Sequence, residues 1–158
     1  MDRVAVAIAI GSNLGDREAH VALAFERLAT LLDGCRRSRV HETLPVGGAD
    51  NDPRFLNAAV VGQTTLSART LLDRLAAIES ERGRARPYRH APRTLDLDLI
   101  LYGDLVVDTV DLQVPHPRFR ERWFVLDPLN EIAPDWTDPV THKTVQRLRH
   151  ELASTASC

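Results

Sequence analysis

Lysine is almost missing from this chain: Lys143 is the only one among 20 basic residues. Arginine as such therefore says little here, and only the clustering of arginines carries information. Cysteine is equally scarce. Cys35 and Cys158 have no metal-type spacing, and two cysteines build no disulfide framework. Aromatic residues make up 5% of the chain, which argues against a sheet surface that stacks RNA bases. No apolar run approaches the length needed to span a bilayer. The N-terminus has no basic region and runs at once into VAVAIAIGSN, a strand pattern rather than a signal peptide. With a net charge of −2, no overall field favours nucleic acid or an anionic membrane. These absences argue against nucleic acid and membrane as partners, and we expect a cytoplasmic protein and a monomer.

What remains is the composition of an ordinary globule, 44% hydrophobic and 27% charged. A length of 158 residues fits a single domain over 1–158. Residues 4–10 are apolar throughout and read as a strand covered on both faces. Gly11 to Asp16 is turn chemistry. It lacks the lysine of a phosphate-binding P-loop and the spacing of a dinucleotide fingerprint. A helix follows, with Ala22, Phe25, Leu28, Ala29 and Leu32 as its apolar face and Gly34 as its stop. Residues 35–42 suit a second strand and residues 43–53 a loop long enough to be functional. Phe55 to Gln63 reads as a third strand. Ser67 caps a second helix striped by Leu71, Leu72, Leu75 and Ile78. An arginine-rich loop, an aspartate-bearing strand and a Gly103-Asp104 turn come next, with Leu105 to Val107 as a partner strand. Beyond Val114 the chain is broken by prolines, and a last helix is expected near Val145 to Leu152. Strand, helix, two strands, helix, strand is the split βαβ order. It predicts an α+β, ferredoxin-like antiparallel sheet with helices packed on it in three αβα layers.

The most informative stretch is RARPYRHAPRTLDLDLILYGD, from Arg84 to Asp104. Asp96 and Asp98 alternate with Leu95, Leu97 and Leu99. In a strand both carboxylates share one face, roughly 7 Å apart at Cα, and the leucines take the other. Upstream lie Arg84, Arg86, Arg89, His90 and Arg93, with no acid from 83 to 95. Hard carboxylate oxygens suit a divalent metal, and guanidinium forks suit phosphate. Either feature alone is commonly a solvated face. Together they point to a metal-bound polyphosphate.

Other candidates carry less on their own. Asn57, among apolar strand residues, needs hydrogen-bond partners, because an unsatisfied buried amide costs roughly 1–3 kcal/mol. It either bonds local backbone or reads the edge of a heterocycle, with Phe55 on the same face as a stacking plate. Glu79 flanks the stripe of the second helix and can pair with Arg82. His116 is held between Pro115 and Pro117 and could donate to phosphate. Of Arg118, Arg120 and Arg122, at most two can face one site. Trp123 and Phe124 supply aromatic surface, which is more often core than ligand.

Four ordered blocks, AIAIGSNLGD, FLNAAV, GRAR with APRTLDLDLILYGD, and VPHPRFRERWFVLDPLNEIAP, carry a family resemblance. Over about residues 4–136 the chain resembles the 6-hydroxymethyl-7,8-dihydropterin pyrophosphokinases of folate biosynthesis. The resemblance implies that Asp96 and Asp98 hold two Mg2+ ions and that Arg84 and Arg93 contact phosphate during transfer. It assigns Glu79, Arg86, Leu99, His116 and Arg122 to the ATP site. It assigns Thr43, Leu44 and Val46 to the loop lining the pterin pocket. Asn57 would read the pterin edge, with Phe55 and Phe124 on either side of the ring. His90, Ala91, Ala76, Gln113 and Phe55 depart from the pattern, but neither aspartate nor either principal arginine does.

The reaction implied is pyrophosphate transfer from ATP to the hydroxymethyl oxygen of the dihydropterin, releasing AMP. Two further readings stand beside it. One is a non-catalytic ferredoxin-like module that binds nucleotide or RNA; the other is a different metal-dependent nucleotidyl or phosphoryl transferase.

Overall fold

The computed structural model describes residues 2–13, 16–43, 54–83 and 95–156. Their elements run β1 (Val4–Ser12), α1 (Arg17–Leu31), β2 (Asp33–Arg37), β3 (His41–Thr43), β4 (Phe55–Thr64), α2 (Ala68–Gly83) and β5 (Asp96–Tyr102). After these come β6 (Val107–Asp108), β7 (Gln113–Val114), a 3-10 turn (Phe119–Glu121), α3 (Trp123–Ile132) and α4 (Val145–Ala156).

The main sheet has the order β2-β4-β1-β5, with β3 also paired to β4 and every pairing antiparallel. This is the ferredoxin-like arrangement that the element order predicts. Residues 4–10 of β1 are apolar without a break, as suits a central strand covered from both sides. Val6, Ile8 and Ile10 pack with Val21, Ala24 and Leu28 of α1 and with Leu71, Leu75 and Ile78 of α2. Ala7 and Ala9 join Ala59 and Val61 under Phe119, Leu126 and Leu129. Small residues on that face leave room for bulky ones from α3 and its preceding turn. A fully buried Phe or Leu contributes roughly 1.5–3 kcal/mol, so Phe119, Leu126 and Leu129 dock this third layer firmly.

Several local expectations need correction. The α1 face that faces the sheet is Val21, Ala24 and Leu28; Ala22 and Ala29 are exposed and Phe25 is half-buried. Asp16 caps the helix, its side chain accepting from Ala19 N–H at 3.1 Å. The helix ends at Leu31 with extended Leu32 as its cap, and Gly34 takes its positive φ of 58° inside β2 instead. The single strand over 35–42 is two strands. Ser38 breaks it, because its hydroxyl accepts from Ala59 N–H at 2.9 Å while its own N–H donates to Ala59 O. Leu105 and Val106 do not pair with β5; the small ribbon is β6 with β7, in the register Val107↔Val114. The helix that ends the chain runs to Ala156, past Leu152.

The pairing of β1 with β5 shifts register between Ala7 and Ile8. Leu99 lies opposite Ile8 and Leu101 opposite Ala7, so Ile100 is one residue more than β1 can match. The Ile100 carbonyl accepts from His116 N–H at 3.0 Å. The irregularity thus ties the proline-flanked segment to the strand that carries the aspartates.

Candidate active site

The register sets one row of side chains across the sheet. Asn57 of β4 lies opposite Gly11 of β1, which lies opposite Asp96 of β5. The next row on the same face is Ala59, Ala9 and Asp98. Both aspartates are half-buried, while Leu95, Leu97 and Leu99 on the other face are buried in the helical layer. The period-two reading of this strand is correct. Gly11 and Ala9 keep the middle of the face low, so a molecule can lie between the Asn57 amide and the two carboxylates.

A cleft of about 840 Å³ opens above these rows. The sheet contributes Ala9, Gly11, Thr43, Phe55, Asn57, Asp96 and Asp98. The opposite wall is Arg118, Glu121, Arg122, Trp123, Phe124 and Val125. Asn57 is 3% exposed and donates from Nδ2 to Thr43 Oγ1 at 2.6 Å. Its partner is a side chain on the neighbouring strand, not local backbone, and the bond fixes the amide plane. Phe55 and Phe124 enter from the sheet wall and the helix wall respectively. The Arg122 guanidinium sits 5.5 Å from the Phe124 ring centroid, cation-π distance. Arg118 and Arg122 line the cleft, whereas Arg120 turns away to the buried Asp138, as expected if at most two of the three share a site.

A smaller hollow of about 200 Å³ adjoins on the outer side of β5. Leu72, Leu97, Leu99, residues 110–113, His116 and Pro117 line it, together with Asp98. Asp98 therefore borders both spaces. Leu99 and His116, placed together by the resemblance, do lie together here, and so does Gln113, which donates to Asp108 Oδ1 at 3.1 Å. The His116 Nδ1 accepts from Arg118 N–H at 3.2 Å. That bond leaves the proton of the neutral ring on Nε2. Burial holds the His116 imidazole below its usual value; Asp98 opposes this, and Arg122 and Arg118 reinforce it. Glu79 is among the lining residues of neither space. Its Oε2 instead accepts from Leu97 N–H at 2.7 Å.

Arg84, Arg86, Arg89, His90, Arg93, Leu44 and Val46 fall outside the described residues. Among the described residues, no three His, Cys, Asp or Glu side chains gather as a metal cage. Asp96 and Asp98 offer hard carboxylate oxygens, a donor set that suits Mg2+ completed by water and phosphate oxygens. Sequence reasoning missed the role of Gly11, whose value is an absent side chain, and undervalued Trp123, which lines the cleft. It could not see the extra residue at Ile100, because a bulge leaves no periodic mark.

A third hollow of about 610 Å³ lies between α1 and the β2 edge, lined by Phe25, Cys35, Val40 and Val60 among others. Its carboxylates, Glu18 and Glu26, lie more than two turns apart along α1 rather than side by side, and burial pushes the Cys35 thiol up, away from a reactive thiolate.

Comparison with known proteins follows the same lines. The family model described as 7,8-dihydro-6-hydroxymethylpterin-pyrophosphokinase matches residues 7–134. The Bacillus subtilis protein named 2-amino-4-hydroxy-6-hydroxymethyldihydropteridine pyrophosphokinase is 46% identical over 130 residues, 80% of this chain and 76% of its own. The Aquifex aeolicus protein of the same name is 35% identical over 146 residues, 92% of this chain and 91% of its own. The chain spans only 22% of the Dictyostelium discoideum folic acid synthesis protein FOL1, at 37% identity over 93% of this chain. The crystal structure of wild-type Plasmodium falciparum HPPK-DHPS superposes with a TM-score of 0.74 at 14% identity, covering 97% of this chain and 45% of that one. At that identity the likeness is one of fold.

Proposed function

The chain belongs to the 7,8-dihydro-6-hydroxymethylpterin-pyrophosphokinase family, and we propose that it moves the terminal pyrophosphate of ATP onto 6-hydroxymethyl-7,8-dihydropterin, releasing AMP, in tetrahydrofolate biosynthesis. The observation that carries this reading is the position of Asp98, which borders the large cleft on one side and the small hollow on the other. A transfer between two bound molecules needs charged groups at the junction of two pockets, and Asp98 stands there with Asp96 beside it in the large cleft.

In this reading the large cleft takes the pterin. Phe55 and Phe124 cover the faces of the ring, and the second N–H and the Oδ1 of Asn57 meet its hydrogen-bonding edge. Thr43 orients the amide, with the backbone at Leu44 and Val46 completing the pocket. The nucleotide lies on the side of Leu99 and His116, whose Nε2–H donates to a phosphate oxygen. Arg122 and Arg86 offset phosphate charge, and Arg84 and Arg93 do so as charge develops during transfer. Asp96 and Asp98 would hold two Mg2+ ions. Such ions, when bound, lower the pKa of the attacking hydroxyl and clamp the transferred group. The hydroxymethyl oxygen attacks the β-phosphorus and loses its proton to water, and the bond from that phosphorus to the α-phosphate oxygen breaks. AMP leaves. The chain's own part is positioning and charge stabilisation.

Chromatography of the nucleotides after incubation with ATP, Mg2+ and the pterin alcohol tests this reading. We expect AMP to accumulate only when the alcohol is present, mole for mole with its consumption. ADP as the nucleotide product, or AMP formed without the alcohol, would overturn it.

A further inference from the structure

β5 is the outermost strand of the sheet, bound to β1 along one edge only. Asp96 and Asp98 lie opposite Gly11 and Ala9 of that neighbour. Leu97, between them, turns its side chain into the helical layer. Its N–H reaches a side chain rather than a strand: Glu79 Oε2 at 2.7 Å. Glu79 lies one turn before the end of α2, 18 residues away in sequence, and is half-buried. An exposed edge N–H in a site would otherwise be satisfied by water and would leave the strand free to flex. A charged acceptor makes roughly a twofold stronger bond than a neutral one. The bond falls on the peptide joining Asp96 to Leu97, between the two aspartates, so it restrains the stretch of backbone from which both carboxylates project.

We infer that Glu79 is a positioning residue: it stands in for the missing neighbour strand at Leu97 and so sets the geometry with which Asp96 and Asp98 grip divalent metal. This role differs from contact with nucleotide, since Glu79 acts through the backbone of β5. It rests on the proposed reading of Asp96 and Asp98 as the metal-holding pair. An acceptor is required and a negative charge is not, so Gln should replace Glu79 where Ala does not.

The test uses the full-length protein with Mn2+ and α,β-methylene ATP as probes, read by electron paramagnetic resonance, and amide hydrogen exchange at Leu97 read by NMR. In Glu79→Ala we expect Leu97 exchange to quicken at least tenfold and Mn2+ affinity to fall about tenfold. Glu79→Gln should stay within threefold of wild type in both. Asp96→Asn serves as the control for the underlying reading. If wild type binds Mn2+ no better than Asp96→Asn, the metal assignment itself fails. If Mn2+ binding depends on Asp96 but Glu79→Ala leaves it unchanged, the positioning role is wrong. If Glu79→Gln loses as much affinity as Glu79→Ala, the carboxylate acts through its charge and the inference is equally overturned. Should Glu79→Ala not fold, the Gln variant and the wild-type exchange rate of Leu97 still decide: a Leu97 amide as fast as an open strand edge contradicts the bond.

Discussion

In the proposed reading Asp96 and Asp98 carry the chemistry, because they are two carboxylates sharing one sheet face at the floor of the large cleft. Each stands beside a residue with little or no side chain, Gly11 or Ala9, so the space in front of them is open. Asp96→Ala and Asp98→Ala should each lower turnover by about a thousandfold or more, the several kcal/mol of charge stabilisation that metal supplies. The unfolding midpoint should barely move. Steady-state assay at saturating Mg2+ checks this, and retention of more than a tenth of the wild-type rate in either variant would contradict it. Asn57 is argued on different grounds. Its amide is buried and bonded to Thr43, so Asn57→Ala should weaken pterin binding by about 1–3 kcal/mol and leave binding of an ATP analogue unchanged. Calorimetric titration separates the two, and equal losses would make Asn57 a structural residue. The aspartate pair was legible in the sequence, since a period of two is enough to put two carboxylates on one face. The partner of Asn57 was not. Thr43 meets it only through the pairing of β3 with β4, where His41 and not Thr43 lies opposite Asn57. Spacing could not supply that register.

At the scale of elements, two devices hold the site, and only one was announced by residue type. Ser67 caps α2 as expected, its hydroxyl accepting from Thr70 N–H at 3.1 Å. The segment after α3 gave no sequence signal, yet it contains the most deeply buried charge in the described residues. Asp138 is 1% exposed and accepts from the guanidinium of Arg120, from Thr141 Oγ1 and from Val140 N–H. The pair locks the turn before α4 to the 3-10 turn between Arg118 and Arg122, so the region that sequence left without a role braces the cleft wall. Arg120→Ala would strand that carboxylate and should cost about 3–5 kcal/mol in urea unfolding. A loss under 1 kcal/mol would show that water reaches Asp138. Burial works to raise the Asp138 pKa, but the bonds from Arg120, Thr141 and Val140 win and hold it below the usual carboxylate range. A depressed folded pKa gives stability that is complete above the unfolded value of about 3.9 and is lost as pH falls below it. The gap between wild type and Asp138→Asn should therefore be constant at neutral pH and shrink only in that acid range.

On the scale of the whole molecule, the element order was enough to predict the sheet and its three layers. Helices pack on both faces, and on one of them the cleft above Asn57, Asp96 and Asp98 stays uncovered. What the order could not show was that a bulge at Ile100 and a proline-flanked His116 would meet behind the aspartates. That meeting has a consequence for overall stability. Burial keeps the folded His116 ring below its usual pKa near 6.5, so the unfolded chain binds its proton first as pH falls. Stability should drop below about pH 6.5 and level off once the folded ring also protonates. His116→Gln should flatten this limb in urea midpoints compared between pH 7.5 and 5.5, whereas an unchanged limb would assign it to the other histidines. The central claim is that two pockets joined at Asp98 pass a diphosphoryl group across in one piece, and 31P NMR of the completed reaction tests it most directly. The account predicts AMP and a pterin diphosphate monoester in equal amounts, with both transferred phosphorus nuclei coupled to each other. ADP with a pterin monophosphate, or AMP with free pyrophosphate, would contradict it.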